Sequence, residues 1–233
     1  MPDARADVAD VAGASAQGEA VAALYDGMAA RYDEVVRAGR YVGPGWLALR
    51  LRRLPPPARV LDLGCANGRL GPVVRRRFPA ARLSGVDVSS AMVEAARASG
   101  LYESVRRHDL ARPLDRWDTG SAELVLALGC LEFLAEPAAL LREVARVLVP
   151  GGHLLASFQA HWPDRPALAP RSTRSADVRH HALTEDEVAG LFDAPPWRLE
   201  ALEGVTGYVS ATGFACPYWM VQAGRQGGPP RAE

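Results

Sequence analysis

Apolar residues recur at helical spacing through Val21, Leu24, Tyr25, Met28, Tyr32, Val35 and Val36, which predicts an amphipathic helix over 21–36. A second helix over 46–54 is stopped by Pro55, Pro56 and Pro57. From Arg59 onward the texture changes to short β-branched and leucine-rich runs separated by helical stretches, an alternation that predicts parallel strands joined by crossover helices. Strands are expected at 59–63, 82–87, 104–108, 122–128 and 152–158, with helices near 69–77, 90–98 and 137–147. The Pro- and Arg-rich segment 159–180 reads as an insertion loop on the substrate side. Thr184 with Glu187 forms a capping box that opens a helix ending near Phe192, and two strands, 197–204 and 217–223, follow.

Residues 1–20 and 225–233 hold too few large apolar groups to offset the entropy of ordering, so both are expected to be unstructured around one domain spanning 21–224. The 233 residues are 48% hydrophobic, enough for a substantial single core. Lys plus Arg and Asp plus Glu are 27 each, so no overall charge favours nucleic acid or an anionic membrane. All 27 basic residues are Arg, which excludes chemistry that needs a lysine amine, including Schiff bases and the phosphate lysine of a P-loop. Cys65, Cys130 and Cys216 are distant and odd in number, with no CxxC pair, so neither a disulfide framework nor a zinc site is expected. Without an apolar leader or a membrane-length run, the chain is expected in the cytoplasm.

The site-bearing signal is VLDLGCANG over 60–68, an apolar strand running into Asp62, Gly64 and Gly68 in a turn before a helix. A dinucleotide site wants a glycine where this chain has Ala66, and Asp62 would repel a diphosphate, so a cationic ligand fits better. The next strand ends in Asp87, placed to accept both hydroxyls of a ribose. The third ends in His108, Asp109 and Leu110, where a carboxylate can accept from an exocyclic amine. Together these acids suit an adenosine without phosphates. Singly, Asp87 and Asp109 are also ordinary caps of whatever follows them.

VLDLGCANG, VDVSSAMV, RHDL, AELVLALGCLEFL and EVARVLVPGGHLLASF, in that order, resemble the motif set of class I S-adenosylmethionine-dependent methyltransferases, and DGMAARYDEVV resembles the lid helix of the small-molecule branch. The resemblance covers about 21–158. It implies an α/β Rossmann-like fold: a seven-stranded, mostly parallel sheet with an antiparallel last strand, helices on both faces and an N-terminal helical lid. On that division 21–54 is the lid, 59–158 the cofactor core, and 159–224 the substrate-side insertion and last strands. It further implies S-adenosylmethionine as cofactor, S-adenosylhomocysteine as its product, and methyl transfer to an oxygen or nitrogen of a small molecule. Gly64, Cys65 and Ala66 would line the methionine part with Asp62 near its amino group, and Tyr32 would cover its carboxylate. Asp87 would hold the ribose, Val88 and Met92 would sandwich the adenine, and Asp109 with Leu110 would read its edge. Gly129 and Cys130 would lie close to the sulfonium.

Such transfer needs alignment more than a base, and a base only for a weakly acidic hydroxyl. Relatives often carry His where this chain has Phe133, which cannot accept a proton, so an already nucleophilic acceptor is expected. Tyr25 and His161 are the candidate catalytic residues, and Tyr25, Glu132, Phe133, Trp162, His181 and Tyr208 the candidate acceptor contacts. No metal site, nucleic-acid partner or membrane partner is expected, and the chain is read as a monomer or homodimer. The alternatives are a non-methylating use of the cofactor, such as cyclisation, and an NAD-dependent oxidoreductase, which Asp62 and Ala66 disfavour.

Overall fold

The computed structural model describes residues 15–175, 177–210 and 213–227. Three helices come first: α1 (Ala16–Met28), α2 (Tyr32–Ala38) and α3 (Gly43–Leu51), with a short 3-10 turn at Ala29–Arg31 breaking the single helix expected over 21–36. The alternating part follows as β1 (Arg59–Leu63), α4 (Gly71–Arg77), β2 (Arg82–Asp87), α5 (Ser90–Ala98), β3 (Ser104–Arg107), β4 (Ala122–Ala127), α6 (Pro137–Val147) and β5 (Leu148–Ala160). The chain ends with β6 (Ser172–Ser175), β7 (Val178–Leu183), α7 (Glu185–Gly190), β8 (Trp197–Val209) and β9 (Ala215–Arg225).

The nine strands of the described residues belong to one sheet. Its main body runs β3-β2-β1-β4-β5-β9-β8, parallel through β5; β9 is antiparallel to β5 and β8 antiparallel to β9. This is the mostly parallel sheet with an antiparallel last strand expected above. Its central strands are almost wholly buried because helices cover both faces. Alternate residues go to opposite sides, as the strand period requires. Leu61, Leu63, Val125 and Ala127 join a cluster with α6, Phe158, Phe192 and Trp219, while Val60, Leu124 and Leu126 join one with Trp46, Leu47 and Leu51 of α3 and with Phe78.

Segment 159–180 is not a plain insertion loop. Its second half is the β6–β7 hairpin, with Ser172 opposite His181 and Thr173 opposite His180. Gln159 of β5 pairs with Tyr218 of β9 and with Ala182 of β7, so those strands lie on opposite edges of β5. The hairpin therefore sits on the β4 side, just past the end of β4, where it walls the carboxyl edge of the sheet. The N-terminus also departs from expectation. Ser15 caps α1, its side chain accepting from the Gly18 amide, so 15–20 is ordered helix and its cap; residues 1–14 and 228–233 lie outside the described residues.

Candidate active site

The strand order reverses between β1 and β4, the place in an open α/β sheet where a crevice forms at the carboxyl ends. Here the crevice is a cavity of about 920 Å³, lined along the sheet by Gly64, Ala66, Asp87, Val88, Asp109, Leu110, Gly129, Cys130 and Glu132. Its roof is Tyr25, Tyr32 and neighbours from α1 and α2; Tyr41, Phe133, His180, His181, Tyr208 and Tyr218 close the sides. The volume is near the upper end for small-molecule sites, enough for a nucleoside-sized ligand and a second molecule.

The turn after β1 shows why its residues are small. Gly64 has φ +66°, and a Cβ there would stand 2.5 Å from the Cys130 Cβ, so only glycine lets the β1 and β4 ends approach so closely. Cys65 N–H donates to Val86 O at 2.9 Å, which carries the ladder into the turn and brings Ala66 beside the end of β2. There Asp87 is 8% exposed; its Oδ2 accepts from Ala66 N–H at 2.8 Å and its Oδ1 from Ser89 N–H at 2.9 Å. Burial pushes its carboxyl up to about 6 against the pull of those two bonds.

Helix α1 is fastened across the cavity at both ends. At its start Ser15 donates through N–H and Oγ to Asp109 Oδ2, at 2.8 and 2.9 Å, and a side chain at Gly18 would strike the same carboxylate. At its end Asp26 Oδ1 accepts from Ser89 Oγ at 2.5 Å and from Ala91 N–H at 3.0 Å, an acid at the N-terminus of α5. Gln17 donates to Arg179 O at 2.6 Å and ties the helix to β7. Inside, Tyr25 packs on Tyr32 and edge-on to Phe133 at centroid distances of 6.0 and 5.9 Å, and Phe133 meets His180 at 5.0 Å. Burial pushes the Tyr25 phenol up, and Tyr32 and the carboxyls of Glu132 and Asp87 add to the effect. Glu132 is 5% exposed, its Oε1 accepting from Tyr218 O–H at 2.6 Å.

Several expected contacts are not at the cavity. Asp62 is wholly buried beneath the turn, where its Oδ2 accepts from Tyr102 O–H at 2.6 Å; it does not line the space, because the strand alternation turns it to the packed side. Cys65 and Met92 are buried and likewise absent from the lining. His161 pairs through Nδ1 with Ala169 O at 2.8 Å and Trp162 packs on the core, because β5 runs two residues further than expected and carries both past the wall. Ser15, Gln17, Asp26 and Tyr41 were not singled out in the sequence. Ser15 stands before AQGEA as a capping serine does, a signal outweighed by the composition of the first twenty residues; Tyr41 has no periodic signal at all. Among the described residues no group of three His, Cys, Asp or Glu could hold a metal ion, and no helix is long and apolar enough to cross a membrane.

This arrangement defines the class: an open α/β sheet with a cavity at the carboxyl ends of its parallel strands. A methyltransferase-domain model matches residues 60–152. The chain is 32% identical over 169 residues to a ubiquinone biosynthesis O-methyltransferase of Xanthomonas oryzae, covering 62% of this chain and 70% of that one. It is also 32% identical over 109 residues to a malonyl-acyl-carrier-protein O-methyltransferase of Brevibacillus brevis, covering 45% and 38%. Among solved structures, a Burkholderia thailandensis 1,6-didemethyltoxoflavin N1-methyltransferase with bound S-adenosylhomocysteine superposes with TM-score 0.65 at 22% identity, over 97% of this chain and 98% of that one, a likeness of fold. The chain belongs to the S-adenosylmethionine-dependent methyltransferases: it is an enzyme, and S-adenosylmethionine is its methyl donor.

The residues present fit that donor. The close glycine turn puts side-chain-free backbone at the cavity, and carboxyls buried there reward a ligand that brings positive charge and donors.

Proposed function

We propose that the chain methylates a small, largely apolar molecule held beneath α1. In this reading Gly64, Ala66, Asp87, Val88, Asp109, Leu110, Gly129 and Cys130 hold S-adenosylmethionine, with Tyr32 above it. Asp87 takes the ribose hydroxyls through the lone pairs its two amide bonds leave free. Tyr25, Glu132, Phe133, His181 and Tyr208 face the acceptor. The observation that carries the reading is Asp87, a buried acid at the end of β2 that touches the glycine-turn backbone and opens on the cavity.

When bound, the donor supplies a methyl group on a sulfonium, which is already a good leaving group. What the chain adds is position and dryness. Holding two reactants in line replaces a bimolecular encounter and is worth roughly 7–11 kcal/mol. The fastened helix α1 and the aromatic packing of Tyr25, Tyr32 and Phe133 keep water out and leave the acceptor few orientations. The cytoplasm is the proposed setting, which three free, buried cysteines suit.

The test is transfer of labelled methyl from S-adenosylmethionine to a panel of phenols, aromatic amines and carboxylic acids. Label in at least one phenol or amine, with one S-adenosylhomocysteine formed per methyl, is expected. Consumption of S-adenosylmethionine without label in any acceptor would overturn it.

A further inference from the structure

Beyond Cys130 the cavity wall carries a carboxyl that cofactor binding does not use. Glu132 Oε1 is taken by Tyr218, but Oε2 is buried and has no hydrogen-bond partner, although the residue lines the cavity. Buried polar atoms without partners are rare in folded proteins, and one that faces a ligand cavity points to a ligand group. Titratable groups that feel the carboxyl are Tyr25 from α1, Tyr32 from α2, Tyr41 before α3, Cys130 beside it, Tyr208 from β8, and Cys216 and Tyr218 from β9; the turn that carries it also packs on β5 and on β7, whose His180 meets Phe133. The tyrosines and cysteines are neutral acids, and burial holds the His180 imidazole below its ordinary value, towards its neutral form. Burial pushes the Glu132 carboxyl up to about 7, with the Tyr218 bond pulling the other way.

We propose that Glu132 is the general base of the transfer, its free Oε2 taking the proton of a neutral O–H acceptor seated against Tyr25, Phe133 and Tyr208, with Tyr218 as the positioning residue that aims the carboxyl. The inference rests on the methyl-transfer reading above. The acceptor oxygen forms its bond to the methyl carbon as the carbon–sulfur bond breaks with its electron pair going to sulfur, and the O–H proton passes to Oε2. The carboxylate ends as a neutral acid and the sulfonium as a neutral thioether, so charge and atoms balance. The site thereby acquires a selectivity: an ionised carboxylate acceptor would place a second negative charge against Glu132 in a desolvated space, whereas a hydroxyl completes its missing hydrogen bond. Phe133 offers no proton acceptor, whereas Glu132, buried in the same turn, does.

Two variants test this. Glu132→Gln keeps an oxygen for the Tyr218 hydroxyl and preserves the packing; Tyr218→Phe removes the donor and leaves the carboxyl. With carbon-13-labelled glutamate and no cofactor present, one carboxyl resonance is expected to titrate near pH 7, to vanish in Glu132→Gln and to move to higher pH in Tyr218→Phe. Calorimetry with S-adenosylhomocysteine should give the same affinity in both variants as in the parent. Methyl transfer to phenol should fall roughly 10²–10⁴-fold in Glu132→Gln, and much less for 4-nitrophenol, which is largely ionised without help. In Tyr218→Phe the acid limb of the rate should move up with the resonance. Equal loss for phenol and 4-nitrophenol, an unchanged rate, no titration near neutrality, or no phenol turned over by a parent that binds S-adenosylhomocysteine would overturn the assignment. Failure of the parent to bind S-adenosylhomocysteine would instead remove the underlying reading, and this one with it.

Discussion

Replacing Asp62 by Asn isolates the cost of a charge buried at the centre of the sheet. Asp62 pairs with Gly85 on β2 and Leu126 on β4 and is fully buried. Tyr102 bonds Oδ2, while Oδ1 has no partner. Burial pushes its carboxyl from the ordinary 3.8 to about 7; the Tyr102 bond pulls it down and the Asp87 charge pushes it up. Between these values the folded protein holds a proton that the unfolded chain has lost, so this residue's contribution to stability is full below about pH 4 and is lost as pH rises through 7. Each pKa unit is worth about 1.4 kcal/mol, so the ceiling is about 4 kcal/mol. Asn keeps an acceptor for Tyr102 and carries no charge. In urea unfolding without ligand, the stability difference between variant and parent should grow by up to about 4 kcal/mol in the variant's favour from pH 4 to pH 8. Thermally that is about 8–16 °C for a chain of this size. Asp87 and Glu132 are present in both proteins and largely cancel. A difference that stays flat across that range would refute the reasoning.

Gly64→Ala should destabilise by about 2–5 kcal/mol, one part from a left-handed backbone that alanine resists and one from the contact with Cys130, measured as a lower urea midpoint with an unchanged slope; a loss under 1 kcal/mol would be inconsistent with that close approach. Ser15→Ala removes the cap of α1 and its hydroxyl bond to Asp109, a loss of about 1–2 kcal/mol to local closure. Amide exchange over Gly18–Tyr25 should quicken about 5–30-fold while the sheet is unaffected. Leu126→Ala, in the middle of β4 and fully buried, should cost about 2–5 kcal/mol in global unfolding.

Much of the fold was legible because β1 and β4, at the centre of the sheet, are largely apolar runs, a pattern that reports burial on both faces and needs no partner to interpret it. β5 is longer than its apolar stretch because Leu148 pairs with Ala122 across a register shift, a contact made by a neighbour and invisible in local sequence. The β6–β7 hairpin is mostly polar, with Val178 and Ala182 too sparse to signal a strand; it pairs with the end of β5 and is gripped by Gln17, contacts invisible in local sequence. At the site, strand-end residues such as Asp87 and Asp109 were legible from spacing, since a strand end fixes where a side chain stands. Those supplied by loops and by the first helix, Ser15, Asp26 and Tyr41, were not, because their placement follows from tertiary contacts with Asp109, Ser89 and the end of β4. Asp62 shows the opposite error: the motif was right, but strand alternation turns that side chain away from the cavity.

The central claim is that Asp87 and the glycine turn hold the nucleoside of S-adenosylmethionine. Calorimetry of the parent protein and of Asp87→Ala with S-adenosylhomocysteine, and of the parent with NAD, tests it most directly. The account predicts one S-adenosylhomocysteine per chain, an affinity about 5- to 150-fold weaker in Asp87→Ala from about 1–3 kcal/mol of lost charge-assisted hydrogen bonds, and no comparable binding of NAD. Equal affinity in the variant, or NAD bound as tightly as S-adenosylhomocysteine, would contradict it.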